Sequence, residues 1–257
     1  MKFLSFIRMC ISEMNTAMNL LELNKSSVET ITFSHVFQPI ISLHNETLYG
    51  YESLIRCNSV PNPELLFSLA KNQNKLFELD MFSILNSMNT FGKNSSVSPD
   101  NHQLSVNIFP STFLESSFIY RLEKGMSQGN LLPHNITFEM NEAEDVLHVK
   151  KLKEIIKYLK SIGCKFALDD LGKGQSSLRI ALELEPDIVK LDRYFCMGIH
   201  QSIRKQKFLQ WITSYFKSEG VLVTLEGIEE KEELLVARQA GVDMGQGYFL
   251  GRPSSLL

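Results

Sequence analysis

The residues able to do chemistry in this sequence are mostly oxygen donors. Glu52, Glu139, Asp169, Asp170 and Glu226 each fall in or at the end of a short β-rich run, and Asn107, Lys190 and Gln246 occupy comparable places. One Asp or Glu at a strand end is ordinarily a helix cap or a solvated loop residue, and Lys190 alone reads as an ion-pair partner. Five carboxylates sharing one site are another matter. Two unit charges about 4 Å apart repel by roughly 4 kcal/mol at an effective dielectric near 20. Several such pairs would exceed the stability of a typical domain, about 5–15 kcal/mol. The groups must therefore hold protons or be neutralised by cations. A donor set with neither Cys nor His suits Mg²⁺ or Mn²⁺ rather than zinc. The adjacent pair Asp169-Asp170 can share ligation between two ions, and two ions about 3.5–4 Å apart recur in phosphoryl transfer. Lys190 would there orient a water and offset phosphate charge. Asp170-Leu171-Gly172-Lys173-Gly174 adds two glycines where a tight turn over such a site is needed.

These residues share a site only if the elements carrying them converge. Strands are expected at Val36–Ile41, Leu48–Ile55, Leu104–Ile108, Ile136–Glu139, Lys165–Asp169, Ile188–Leu191, Val221–Leu225 and Gly247–Phe249, with Gln246 preceding the last. Helical periodicity alternates with them: Ala143 to Ile162, with an apolar stripe of Leu152, Ile155, Ile156 and Leu159 and a terminating Gly163; Arg193 to Lys217; and Lys231 to Gln239. Eight strands alternating with helices predict a (β/α)8 barrel, in which the C-terminal strand ends meet at one mouth. Only Ser42–Thr47 separates the first two strands, with His44-Asn45 as turn residues. That length makes a hairpin, so one strand runs antiparallel to the rest.

The 257 residues suit one such barrel, and 44% hydrophobic residues supply a core without suggesting a membrane protein. No run approaches the roughly 18 apolar residues of a spanning helix. A net charge of -3 does not favour a nucleic-acid polymer as partner. The cysteines Cys10, Cys57, Cys164 and Cys196 are scattered without C-x-x-C spacing, which reads as free thiols in a reducing, cytoplasmic setting. Residues 1–30 form an extension in which Leu4, Ile7, Ile11, Met14, Met18 and Leu21 recur at helical spacing. It is an amphipathic helix that packs on the domain or docks a partner, ahead of a barrel over 31–257. Asn94 to His102 reads as a surface loop.

Taken in order, the blocks resemble the EAL-domain cyclic di-GMP phosphodiesterases. The signature triplet is Glu52-Ser53-Leu54 within Tyr51 to Arg56, preceded by Phe37-Gln38-Pro39-Ile40. Ser105-Val106-Asn107, Phe138 to Glu142, Ala167 to Gly174, Pro186 to Asp192, Leu225 to Glu229 and Gln246 to Pro253 follow. The resemblance implies an EAL-type barrel that opens cyclic di-GMP to linear pGpG with two Mg²⁺ or Mn²⁺ ions. It implies Glu52, Asn107, Glu139 and Asp169 as ligands of one ion, with Asp169 bridging to a second near Asp170 and Glu226. Lys190 and Gln246 would flank the attacking water, Gln38, Arg56 and Asp192 would meet the substrate, and Glu142 would anchor the Asp170–Ser177 loop. A homodimer pairing near that loop is implied as well.

The chain departs from the family pattern at Ser53, at Asn141 in place of Thr, and at Leu171, Lys173 and Gln175 in place of Phe, Thr and Tyr. Two rival readings follow: a non-catalytic member serving as a cyclic di-GMP receptor or protein-interaction module, and an unrelated barrel metalloenzyme. The second has to contend with the order of the blocks, since fold alone does not fix chemistry.

Overall fold

The computed structural model describes residues 33–94, 102–140, 148–172 and 177–256. The expected N-terminal helix, loop residues 95–101, Asn141, Glu142, Lys173 and Gln175 lie outside the described residues. The described residues divide into two compact units, residues 33–34 with 56–79, and the rest from residue 35 to 55 and from residue 80 on. In the smaller one, helix α1 (Pro63–Asn72) starts on a proline behind Asn62, whose side chain accepts a hydrogen bond from the Glu64 amide and caps it. Leu66, Leu69 and Ala70 form its buried stripe.

The larger unit is built on a closed barrel of eight strands in sequence order: β1 (Phe33–Ser42), β2 (Leu48–Cys57), β3 (Gln103–Ile108), β4 (Ile136–Met140), β5 (Lys165–Leu171), β6 (Ile188–Leu191), β7 (Leu222–Leu225) and β8 (Met244–Gly245). Adjacent strands from β2 to β8 pair in parallel, and β1 closes the ring antiparallel to β8 through Ile41 opposite Gly245 and Ser42 opposite Met244. The expected antiparallel strand is therefore β1. The eighth strand is displaced from its expected place: Met244–Gly245 pairs, and Gln246 follows it instead of preceding it. Gly247 instead has its backbone against Ile228; an added Cβ would come within 2.1 Å of the Ile228 carbonyl oxygen.

The register places the polar residues on one face. Asn107 is opposite Glu139, Glu52 opposite Ser105, and Lys190 opposite Thr224. Side chains alternate along a strand, so Asn107, two residues beyond Ser105, and Glu226, two beyond Thr224, point inward with them. Beneath them Ile40, Ala167, Ile188 and Met244 fill the barrel, with Tyr49 packed against this layer. Outside, Phe113 meets Phe118, Phe138 and Phe166 edge to face, at 5.4, 6.1 and 6.3 Å between ring centres.

Helices cover the outer face between the strands. α2 (Leu76–Gly92), α3 (Pro110–Leu114), α4 (Phe118–Gln128) and α5 (Val149–Ser161) come first. They are followed by α6 (Ser177–Leu184), α7 (Arg193–Cys196), α8 (Ile203–Ser218) and α9 (Lys231–Gln239). α5 buries Leu152, Ile156 and Leu159 and stops before Gly163, whose φ of 107° only glycine adopts readily. The long helix expected from Arg193 to Lys217 is broken in two. Gly198 turns left-handed at φ 65°, and Ser202 starts α8 by accepting from the Lys205 amide. No helix among the described residues is long and apolar enough to cross a membrane.

Candidate active site

Four strands deliver carboxylates to one amine. Lys190 Nζ lies 2.7 Å from Glu139 Oε2, 2.8 Å from Glu226 Oε1, 3.1 Å from Asp169 Oδ1 and 3.4 Å from Glu52 Oε2. Glu52 is also the acceptor for two amides: Asn107 Nδ2 donates to Oε1 at 2.9 Å and Gln246 Nε2 donates to Oε2 at 2.7 Å. Lys190 is 1% exposed, a depth at which an ammonium persists only among counter-charges.

Asp170 joins the cluster through a backbone irregularity. Successive strand residues face opposite sides, so Asp169 and Asp170 could not both look into the mouth from a regular strand. The β5–β6 register shifts between Leu168 and Leu171, and Asp170 takes the left-handed conformation at φ 54°, which Asp tolerates better than most residues. As a result, oxygens of Asp169, Asp170 and Glu226 lie within 4.8 Å of one another.

Protonation reflects this crowding. Burial pushes the Glu139 carboxyl up to about 8; Lys190 opposes the shift while Glu52 and Asp169 add to it. Burial likewise raises Glu226 and Asp169 despite Lys190, with neighbouring carboxylates contributing. Glu52 goes the other way: burial would raise it, but Lys190 and the hydrogen bonds from Asn107 and Gln246 together hold it below the usual range. Burial would drive the Lys190 proton off, yet the four carboxylates keep it bound well above the ordinary lysine range.

Four carboxylates thus surround one ammonium, with Asp170 beside them, and the deficit of positive charge suits divalent cations. One buried oxygen in the same place, Gln246 Oε1, has no hydrogen-bond partner, and Asp169 Oδ1 has only the Lys190 ammonium, at 3.1 Å. Crowded carboxylate oxygens with an unsatisfied amide oxygen beside them are what a hard cation requires. The residues present fit Mg²⁺ or Mn²⁺, with Glu52, Asn107, Glu139, Asp169, Asp170 and Glu226 as candidate ligands.

The structure also shows where the remaining expected residues lie. Gln38 is buried on β1 and donates to the Gly251 carbonyl at 3.2 Å. Asp192 follows β6 and caps α7, accepting from the Tyr194 amide at 2.8 Å. Arg56 is half-buried and belongs to the smaller unit. A second cluster, His200, Glu230 and Glu233, was not anticipated. Its Glu233 carboxylate is engaged by backbone amides, accepting from Gly198, Glu229 and Glu230 at 2.9–3.2 Å, which makes it a scaffold for the loop before α9. The signal available for it was the Glu230-to-Glu233 spacing of a helix start.

The architecture recurs in solved structures. The EAL enzyme Bd1971 with cAMP and cyclic di-GMP bound superposes with a TM-score of 0.83 at 25% identity, over 97% of this chain and 70% of that one. The manganese and cyclic di-GMP complex of Klebsiella pneumoniae BlrP1 at pH 6 gives 0.77 at 25% identity, over 86% of this chain and 56% of that one. Among sequences, the cyclic di-GMP phosphodiesterase PdeF of Escherichia coli is 22% identical over 236 residues, which are 89% of this chain and 31% of that protein. The chain spans about a third of the length of such relatives. The EAL domain model matches residues 22–253, and the chain belongs to the EAL domain family, whose members include cyclic di-GMP phosphodiesterases.

Proposed function

We propose that this domain hydrolyses cyclic di-GMP to linear pGpG in the cytoplasm, using two Mg²⁺ or Mn²⁺ ions, and that it works as a homodimer. The observation that carries this reading is the meeting of Lys190 with four strand-end carboxylates beside the unsatisfied Gln246 Oε1. The ions would supply Lewis acidity toward a phosphoryl oxygen and a nucleophilic water at neutral pH.

The chain's own residues supply the rest. Water adds to phosphorus in line with one ester oxygen; that P–O bond breaks, and the released sugar hydroxyl takes a proton. Lys190, fixed by its carboxylates, presents a permanent positive charge where phosphate charge grows. Asn107 and Gln246 hold Glu52 in one rotamer, and the left-handed turn at Asp170 keeps two adjacent carboxylates on one side. Gln38, Arg56 and Asp192 are proposed to meet the substrate, with Arg56 offering bidentate contact to a phosphate. Glu142 is proposed to anchor the loop beyond Asp170.

The test is hydrolysis of cyclic di-GMP with Mn²⁺ or Mg²⁺, read by chromatography, with Glu52→Ala alongside. Metal-dependent pGpG that vanishes in the variant supports the reading. A second reading, a receptor without turnover, is favoured by Lys173, a positive charge three residues beyond Asp170 in the sequence. Tight binding of intact dinucleotide without product would select it.

A further inference from the structure

The four-residue helix α7 touches both loops that carry the Asp169–Asp170–Glu226 cluster. Its Phe195 ring lies against Gly172, two residues past Asp170: a methyl group placed on Gly172 would sit 2.4 Å from Phe195 Cε2 and 2.6 Å from Cζ. Its Arg193 stem lies against Gly227, the residue after Glu226, where a methyl group would sit 2.3 Å from Cγ and 2.7 Å from Cβ. Both glycines are left-handed, at φ 102° and 71°, so each turn is shaped around the side chain it meets.

α7 is itself held from several directions. Asp192 caps its start, and Lys205 Nζ donates to the carbonyls of Tyr194 and Met197 at 2.5 and 2.7 Å. Glu233 Oε1 accepts from the Gly198 amide just beyond it, and Phe195 stacks on Phe208 of α8 with 5.1 Å between ring centres and a 16° tilt. A short element fixed to α8 and to the start of α9, and pressed against two turns, can set the distance between those turns.

We infer that Arg193 and Phe195 are positioning residues: α7 is a wedge that sets the spacing between the Asp169-Asp170 pair and Glu226, and through it their affinity for divalent cations. The inference rests on the reading of these carboxylates as metal ligands. For Arg193 it assigns the work to the aliphatic stem, not to the guanidinium, which pairs with Glu229 at 2.9 Å on the solvent side.

The test is Mn²⁺ binding to the full chain by titration calorimetry, after stripping with chelator. Phe195→Ala and Arg193→Ala should each weaken Mn²⁺ by about tenfold or more, the scale of losses from residues supporting metal ligands. Arg193→Lys, which keeps the stem, should restore affinity, and Glu229→Gln, which removes only the ion pair, should leave it unchanged. Half-exposed Arg193 guards against misfolding as an explanation, and circular dichroism checks each variant. Undiminished affinity in both alanine variants overturns the wedge, as does Arg193→Lys losing as much as Arg193→Ala. If the unmodified chain takes up no Mn²⁺, or Asp169→Asn does not reduce uptake, the metal reading itself fails and the wedge falls with it.

Discussion

Lys190 Nζ lies 2.7 Å from Glu139 Oε2 although the two residues stand on β6 and β4, with β5 between them. Such a reach is possible at the narrowing mouth of a barrel, where side chains from non-adjacent strands converge. The pair therefore ties two strands that share no backbone hydrogen bonds.

Removing that tie should be costly without metal. Lys190→Met leaves four buried carboxylates with no ammonium, and breaking a buried pair on one side costs about 3–5 kcal/mol. Thermal unfolding in chelator should show the loss, and added Mn²⁺ should recover much of it. A melting curve matching the unmodified chain would contradict the arrangement.

Glu52→Ala should separate activity from folding. Glu52 contributes a carboxylate to a crowded cluster, not an apolar contact to the core. Turnover should fall by at least about a hundredfold, while the fold is retained in chelator with a lowered melting temperature, because Asn107 and Gln246 lose their acceptor. Unfolding of the variant would count against the assignment.

Cation binding should stabilise the fold by mass action. At a free Mn²⁺ concentration near 100 times its dissociation constant, a single site adds about 2.7 kcal/mol. Calorimetry with and without Mn²⁺ measures this, and Asp169→Asn should shrink the difference because it removes an oxygen from the cluster.

Acid stability should depend on Asp243, which sits before β8. Its carboxylate is 2.8 Å from Lys217 Nζ, accepts from the Val223 amide at 3.0 Å and meets His44 Nε2 at 3.2 Å. Burial would raise it, but the hydrogen bonds from Lys217, Val223 and His44 hold it below the ordinary Asp value. A folded-state value below the unfolded one, about 3.9, means the stabilisation is present above pH ~4 and lost as pH falls through the lower folded value. Asp243→Asn should cost about 1.5–3 kcal/mol at neutral pH and flatten the acid limb of a stability-against-pH curve.

Gly247→Ala should disturb both fold and site. The new methyl would meet Ile228 backbone atoms at 2.1–2.6 Å, and backbone cannot step aside as a side chain can. A loss of about 1–3 kcal/mol is expected, along with weaker Mn²⁺ binding as Gln246 shifts off Glu52. Denaturant unfolding and metal titration read the two effects separately.

The strand-end pattern carried most of the site in the sequence. Short, largely apolar runs of four or more residues located β3 to β7, and the carboxylates at their ends were visible from type and spacing alone. β8 was misplaced because a two-residue strand has no periodicity to detect, and the aromatic Tyr248-Phe249 nearby looked more strand-like. The break at Gly198 was missed because apolar spacing continues across it, while a left-handed glycine and the serine cap at Ser202 outweigh that spacing. The bulge that turns Asp170 inward was not legible at all, since it depends on pairing between β5 and β6. The same holds for α7, whose contacts with Gly172 and Gly227 join residues close together only in the folded chain.

The inverted first strand has a consequence for how this barrel is wired to anything joined to it. β1 enters from the mouth side, and Phe37 bridges to Ser254 by hydrogen bonds of 2.7 and 3.1 Å, so the chain comes into the barrel and leaves it at one doorway. In an all-parallel barrel the incoming chain would arrive at the closed base, far from the chemistry. Here the entering strand is held beside the outgoing chain at Phe37, paired with Ser254, and at Gln38, bonded to Gly251.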